Sequence, residues 1–247
     1  MKRSKTNFKA IFSLVIFVFF SLTSFIGCKE KVKVDVTSLT CEYLTNPLGI
    51  DAKEPQLSWQ LASDQRGQKQ TAYRLLVASS REKLSKDEGD FWDSGKIKSN
   101  QSRHIDYDGK TLQSRSQYFW KIMIWDKDGN SSSWSEPALW SMGLLEKSDW
   151  TAQWIGSPDS VTSPYYRHSF NLDNVPEYAP VYLASLGYFE LYINGQKVGK
   201  EVLAPAVSNF SKRTYYQTYD VASYLKKGNN SIGIWMGTGW YSPGLPG

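Results

Sequence analysis

The chain has 247 residues, of which 40% are hydrophobic and 15% aromatic, and this length is enough to bury cores in two domains of about a hundred residues each. Its formal net charge is +5, but four basic residues and no acidic one precede Cys28, which leaves 25 basic against 24 acidic residues from there onward. The folded part therefore lacks the basic excess that binds nucleic acids, and no nucleic-acid partner is expected. The ten tryptophans and fifteen tyrosines are typical of β-sandwiches and of sugar-facing surfaces.

The N-terminus has the order of an export signal. A basic start and the apolar run "AIFSLVIFVFFSLTSFIG" end at a small residue before Cys28, which predicts a secretory signal peptide over residues 1–27. "FIGC" resembles the lipobox of bacterial lipoproteins, although Phe25 stands where that pattern prefers leucine. The resemblance implies that Cys28 is lipidated. The charged segment "KEKVKVDVT" that follows predicts a tether over residues 28–37.

We therefore expect an exported lipoprotein of the outer membrane or periplasm of a Gram-negative bacterium, attached to the membrane through its N-terminal lipid. The alternative is an uncleaved anchor helix, for which the apolar run is slightly short. Both alternatives place the rest of the chain outside the inner membrane.

Residues 38–143 contain seven short segments of alternating or apolar pattern, separated by turn residues, which predict seven β-strands. These segments are "SLTCEY", "QLSWQL", "TAYRLLVASS", "FWDSGK", "SRHIDY", "YFWKIMIWD" and "SEPALWSM". In the sixth, alternate apolar side chains from Tyr118 to Ile124 share one face, while Lys121 and Met123 lie on the other, as a half-buried strand requires. The following "DKDGN" supplies the Asp-Gly pair of a tight hairpin. The strand count predicts an all-β, immunoglobulin-like sandwich of fibronectin type III character.

A second β-domain is predicted over residues 165–247, after an ordered connector over residues 144–164. Its six predicted strands are "YYRHSF", "VYLAS", "YFELYI", "QKVGKEV", "TYYQTYD" and "SIGIWM". "INGQ" predicts a two-residue Asn-Gly hairpin, and Asp220 is expected to cap the helical turn in "VASYLKKG". Only a Gly/Pro-rich loop follows "SIGIWM". We therefore expect this strand to lie at an edge that needs a later partner, and the domain to be incomplete at its C-terminus.

Several longer motifs resemble a known family. "NPLGIDAKEPQLSWQLASDQRGQKQTAYRLLVASS", "YFWKIMIWDKDG" and "DWTAQWIG" are similar to the N-terminal fibronectin-like domain of bacterial alpha-L-rhamnosidases. "LGYFELYINGQKVG", "KRTYYQTYDVASYLKKGNNSIGI" and "GTGWY" resemble the next module of those enzymes, a jelly-roll, galactose-binding-like sandwich related to carbohydrate-binding modules. The resemblance implies hydrolysis of terminal α-L-rhamnose from plant glycans or glycosides by inversion. The catalytic carboxylates of that family lie in a downstream (α/α)6 barrel that this sequence lacks, so no catalytic residue is transferred to it.

The residues themselves suggest no catalytic centre. Inverting glycosidases need two carboxylates about 6.5–9.5 Å apart across a sugar-sized cleft, whereas Asp126, Asp128, Asp149 and Asp220 are expected in turns or caps. The "DKDGN" segment begins like a calcium loop, but its glycine comes too early and no glutamate stands at the twelfth position. Cys41 is expected to be a small buried residue. No metal or cofactor is expected.

One constellation has the composition of a binding site. Trp240 and Tyr241 lie in a glycine-flanked loop, and Asn209 and Arg213 lie in an earlier loop. The aromatic rings could stack on a sugar, with the amide and guanidinium groups binding hydroxyls; alternatively, Trp240 covers an interface to a further domain.

Three functions remain open from the sequence. The first is the non-catalytic N-terminal part of a secreted alpha-L-rhamnosidase, with a rhamnose-containing carbohydrate and a C-terminal catalytic barrel as its partners. The alternatives are a stand-alone carbohydrate-binding surface lipoprotein and an adhesion or scaffold protein built from β-sandwiches.

Overall fold

The computed structural model describes residues 34–158 and 161–241. The predicted signal peptide, the lipidation site at Cys28 and most of the predicted tether lie outside the described residues. In the described part of the chain, no helix is long and apolar enough to span a bilayer.

The first sandwich contains the seven predicted strands. They are β1 (Asp35–Cys41), β2 (Gln56–Ala62), β3 (Ala72–Ala78), β4 (Trp92–Asp93), β5 (Ile105–Asp106), β6 (Gln117–Trp125) and β7 (Ala138–Ser141). One sheet has the order β1-β2-β5 and the other the order β4-β3-β6-β7, with antiparallel neighbours throughout. Trp59, Trp120 and Trp140 are almost completely buried between the sheets. This arrangement confirms the predicted immunoglobulin-like, fibronectin type III character.

Strand β1 extends into the segment that the sequence assigned to the tether. It begins at Asp35, which pairs with Ala62, and the preceding Val34 is buried against the core. Val34 and Val36 are β-branched residues at alternating positions, which favour a strand as soon as a buried face is available.

The sixth strand is covered on both faces, where the sequence predicted cover on only one. Beyond β3, the short helix α1 (Arg81–Ser85) lies over the outer face, with Leu84 buried beneath it. Lys121 is only 6% exposed, and its ammonium group is paired with Asp87 and lies 4.9 Å from the ring centroid of Trp134. The helix is too short to give a 3.6-residue pattern, and the expectation of a half-buried β6 was therefore wrong on this side.

The second sandwich contains the six predicted strands. They are β8 (Tyr165–Leu172), β9 (Pro180–Ala184), β10 (Tyr188–Ile193), β11 (Gln196–Val198), β12 (Tyr216–Asp220) and β13 (Gly228–Gly237). A four-stranded sheet with the order β11-β10-β13-β8 packs on the pair β12-β9. Phe189, Leu191, Ile193 and Tyr219 are among the buried side chains between them.

The last strand is not at an edge. β13 pairs with β10 from Tyr188↔Gly237 to Ile193↔Ile232 on one side, and with β8 from Gly228↔Leu172 onward on the other. The expectation of an unpaired edge at "SIGIWM" was therefore wrong. β8 is separated from β13 by about sixty residues of chain, and local pattern does not reveal a pairing over that distance.

The Asn-Gly hairpin is confirmed. Ile193 pairs with Gln196, and Asn194 and Gly195 have φ values of 52° and 81°, as a type I′ turn requires. The Asn194 amide group donates to the carbonyl of Tyr224 at 2.9 Å, so the turn is also tied to the loop before β13.

Two tyrosine hydroxyl groups join the two sandwiches. Tyr216 accepts a hydrogen bond from the Leu144 amide at 3.0 Å, and Tyr182 donates one to the Met142 carbonyl at 3.2 Å. In the connector, the Trp150 ring lies 5.9 Å from the Tyr216 ring. These contacts place the sheet β12-β9 between the second core and the first sandwich.

Candidate functional site

Two loops meet at one end of the second sandwich. The loop over residues 199–215 joins β11 to β12, and residues 238–241 follow β13. The Phe210 ring from the first loop meets the Tyr241 ring from the second edge to face, with centroids 5.5 Å apart at 78°. We call these two segments the aromatic loops.

Close glycine packing directs the second loop. A Cβ atom on Gly187 would lie 2.4 Å from the Gly237 carbonyl oxygen, and one on Gly239 would lie 2.8 Å from the Gly187 Cα atom. The loop after β13 therefore crosses the β9–β10 turn at a distance that a larger residue at either position would prevent. Beyond this crossing, Trp240 and Tyr241 are 62% and 56% exposed, as a ligand-facing aromatic pair requires.

The predicted polar partners have more limited roles than the sequence suggested. The Asn209 side-chain oxygen accepts hydrogen bonds from the Ser211 backbone amide at 3.2 Å and from the Ser211 hydroxyl at 2.6 Å. The backbone carbonyl of Asn209 accepts from the Arg213 backbone amide at 2.9 Å. The amide nitrogen of Asn209 is the part of its side chain left for a ligand. The Arg213 guanidinium lies 5.3 Å from the Tyr215 ring centroid, a cation–π contact that fixes its direction.

The structure places the four predicted residues on the two aromatic loops, and the loops meet through the contact of Phe210 with Tyr241. Sequence reasoning missed Phe210. The signal that could have identified it is an aromatic residue within the polar segment "SNFSK", because a residue in a surface loop is not expected to be buried in the core.

The first aromatic loop also exposes aliphatic side chains. Val202, Leu203 and Val207 are all exposed, although the buried Ala204 between them accepts from the Phe189 amide at 3.0 Å and ties the loop to β10. An apolar rim held on an ordered loop is typical of a surface that contacts a ligand or another domain.

The carboxylates considered for catalysis serve turns and caps. Asp126 accepts from the Asp128 amide at 2.9 Å and the Asn130 amide at 2.8 Å, which confirms the predicted hairpin. Asp220 accepts from the Ala222 amide at 3.1 Å in the turn before the 3-10 helix Ala222–Tyr224. The N-cap of that helix is Val221, so the expectation that Asp220 caps it was wrong by one residue. Asp149 caps its own 3-10 turn by accepting from the Glu146 amide at 2.9 Å.

The resolved pKa shifts of carboxyl groups in the described residues are all downward. They concern Asp87, Asp90, Asp93, Asp149 and Glu190. For Asp93 the pKa falls because Arg74 donates two hydrogen bonds to the carboxylate, at 2.9 and 2.7 Å. A glycosidase general acid needs the opposite shift, toward neutral pH.

In the residues that the structure describes, no group of three or more His, Cys, Asp or Glu side chains could hold a metal ion. Cys41 is 1% exposed, and burial, with Glu42 nearby, raises the pKa of its thiol to about 12. The thiol is therefore a buried apolar group, as predicted, and not a nucleophile.

The fold and the aromatic loops define a class: an all-β module of two sandwiches with exposed aromatic residues at one end. Residues 36–146 match the family model of the Rha78A-like N-terminal immunoglobulin domain. Residues 174–245 match that of the alpha-L-rhamnosidase N-terminal domain. The chain therefore belongs to the alpha-L-rhamnosidase family through its two N-terminal domains, which confirms the resemblance predicted from its motifs.

Named relatives agree with this assignment. An alpha-L-rhamnosidase of Formosa agariphila is 35% identical in an alignment that covers 96% of this chain and 28% of that protein. The structure of an alpha-L-rhamnosidase from Dictyoglumus thermophilum matches with a TM-score of 0.77 and 37% identity, over 84% of this chain and 25% of that one. An alpha-L-rhamnosidase from Aspergillus terreus matches with a TM-score of 0.70 and 28% identity, over 85% and 24%. The chain thus spans about a quarter of the length of these relatives.

Proposed function

We propose that this chain is the non-catalytic N-terminal accessory part of a secreted alpha-L-rhamnosidase, which hydrolyses terminal α-L-rhamnose from plant glycans or glycosides with inversion. The observation that carries the proposal is the order of the two N-terminal domain models along a chain that spans about a quarter of relatives named alpha-L-rhamnosidase. We assign the catalysis to a C-terminal barrel as the partner of these domains. The structural roles of Asp126, Asp149 and Asp220 support this division of labour.

The aromatic loops are the proposed carbohydrate contact. A deoxy sugar such as rhamnose presents an apolar face that stacks on an exposed aromatic ring. Trp240 and Tyr241 supply such rings, and Phe210 supports Tyr241 from the side. The Arg213 guanidinium and the amide nitrogen of Asn209 supply donors for sugar hydroxyls. The alternative function, a stand-alone carbohydrate-binding lipoprotein, uses the same loops.

Calorimetric titration of the chain with L-rhamnose tests this role. We expect Trp240→Ala to weaken binding about tenfold or more, because an aromatic platform is lost. Trp154→Ala is the matched control, since Trp154 is a similarly exposed tryptophan in the connector, and it should bind as the wild type does. Absence of binding by the wild type, or equal binding by Trp240→Ala, would contradict the sugar contact and favour cover of another domain.

Export and lipidation are part of the proposal. The "FIGC" motif supports Cys28 as the lipidated mature N-terminus. We expect the chain to incorporate labelled palmitate in a bacterial host, and Cys28→Ala to abolish labelling. Cys41→Ala, which removes the other cysteine, should leave it intact. Labelling that survives Cys28→Ala would refute lipidation there.

A further inference from the structure

The outer face of the four-stranded sheet in the second sandwich has an unusual composition. Across the strands, Lys197 pairs with Tyr192, Tyr192 with Gly233, and Gly233 with Arg167. Because side chains alternate between faces, these four residues share the face opposite the core. This row contains no aliphatic side chain.

The next row along the strands closes one end of this face. Glu190 pairs with Trp235, and Trp235 with Tyr165. The Trp235 and Tyr165 rings are stacked, with centroids 5.1 Å apart at 18°, and both residues remain exposed. The Trp235 ring nitrogen donates to the Ser163 hydroxyl at 3.4 Å, which fixes the ring.

A trough lies between these aromatic groups. Gly233 has no side chain in the middle of the row, and Tyr192 and Arg167 flank it on the neighbouring strands. A Cβ atom on Gly233 would meet the Tyr192 Cβ atom at 3.8 Å and the Tyr166 carbonyl at 3.9 Å, which is ordinary contact distance. Packing therefore does not require glycine here. A glycine inside a strand weakens the strand and often marks the close approach of a ligand, and the trough has a volume of about 530 Å³.

The charges on this face leave one cation without a counter-ion. The carboxylate of Glu190 pairs with the ammonium of Lys197 and accepts from the Tyr192 hydroxyl at 2.6 Å, so these charges compensate each other. Among the described residues, no carboxylate lies within ion-pair distance of Arg167. The face therefore combines aromatic walls with a single uncompensated guanidinium.

We propose that this trough binds a monosaccharide unit of an acidic glycan. The sugar ring lies over Gly233 between Tyr192 and Trp235, and its carboxylate or sulfate group accepts paired hydrogen bonds from Arg167. A guanidinium fork matches the geometry of a planar or tetrahedral oxyanion, and an aromatic wall accepts the apolar face of a pyranose. The site uses none of the residues of the aromatic loops and does not depend on the function proposed for them.

Affinity electrophoresis of the purified chain tests the proposal, with polygalacturonic acid, dextran sulfate and neutral dextran as probes. Polygalacturonic acid and dextran sulfate separate the carboxylate from the sulfate, and we expect retardation by at least one of them and not by dextran. Arg167→Gln should weaken the retardation about tenfold, because it removes a charge-assisted pair of hydrogen bonds. Gly233→Val should weaken the retardation to a similar extent by filling the trough, and a Cβ atom at this position meets its neighbours at ordinary contact distance.

Arg66→Gln is the matched control, since Arg66 is an exposed arginine of the first sandwich. It should be retarded as the wild type is. The proposal would be overturned by no retardation with either acidic probe, by equal retardation with dextran, or by equal weakening in Arg66→Gln and Arg167→Gln. Wild-type retardation of Gly233→Val would also overturn it, as would sedimentation as a dimer that Gly233→Val disperses. Binding of L-rhamnose by the aromatic loops is measured in a separate experiment. A negative result for one site therefore does not affect the test of the other.

Discussion

At the residue scale, three glycines determine where the candidate sugar-contacting residues lie. Gly187, Gly237 and Gly239 bring the β9–β10 turn and the loop after β13 to backbone contact distance. The sequence "GTGWY" therefore combines a packing element with a binding element. The glycines set the path of the chain, and Trp240 and Tyr241 extend beyond it into solvent.

Gly239→Ala should destabilise the second sandwich by about 1–3 kcal/mol, because the new methyl group would overlap the Gly187 backbone. The displaced loop should also weaken L-rhamnose binding. Thermal unfolding and calorimetric titration measure the two effects. Gly156→Ala is the control, since a Cβ atom there meets nothing within 4 Å. Wild-type stability of Gly239→Ala would show that the loop adjusts freely.

At the element scale, the strands follow from side-chain alternation, but their surroundings do not. The strands from β1 to β13 occur where the sequence predicts them, because the longer ones alternate apolar and polar residues and turn residues bound the short ones. Helix α1 was not predicted, since five residues do not establish a helical period. The central position of β13 was not predicted either, because strand order depends on partners distant in sequence.

The same reasoning explains which parts of the two surfaces were predictable. Trp240 and Tyr241 could be identified because glycines flank an unpatterned loop. The outer-face trough could not, since both faces of β8 carry aromatic and polar residues, and Gly233 lies on β13, which is distant in sequence. Only the register places Tyr165, Arg167 and Gly233 next to one another on one face.

The ion pair between Asp87, which follows α1, and Lys121 of β6 should make the stability of the first sandwich depend on pH. The hydrogen bond from Lys121 lowers the pKa of Asp87 below its ordinary value, so the carboxylate stabilises the fold above its unfolded pKa of about 3.9 and loses this effect as pH falls through the folded pKa. Asp87→Asn should therefore lose less stability than the wild type between neutral pH and about pH 3.

Urea unfolding at several pH values measures the difference. Asp64→Asn, at an exposed position of the first sandwich, is the control and should follow the wild type. Parallel pH profiles for Asp87→Asn and the wild type would mean that the pair contributes nothing to the acid dependence.

At the scale of the whole molecule, the two sandwiches differ in the size of their cores. The buried cluster of the first includes three tryptophans and spans both sheets, whereas that of the second rests on a four-stranded sheet and a strand pair. The polar contacts of Tyr182 and Tyr216 couple the units, but hydrogen bonds of this kind contribute only about 1 kcal/mol each.

Limited proteolysis should therefore leave the first domain as a stable fragment, while the second domain is digested. We expect a fragment that ends between residues 143 and 154, because the connector after Trp150 is exposed and exposed segments are cut first. Mass spectrometry of the fragments identifies the ends. Equal survival of residues 161–241 would show that the second sandwich is as stable as the first.

The central claim is that these domains accompany catalysis without performing it. The most direct test is release of p-nitrophenol from p-nitrophenyl α-L-rhamnoside by the purified chain, beside the full-length alpha-L-rhamnosidase of Formosa agariphila as a positive control. We expect the full-length relative to release p-nitrophenol and this chain to release none. Where the pKa of a carboxyl group in the described residues is shifted, it is lowered, away from the range that a general acid needs. Release by the chain that a single carboxylate substitution abolishes would contradict the account.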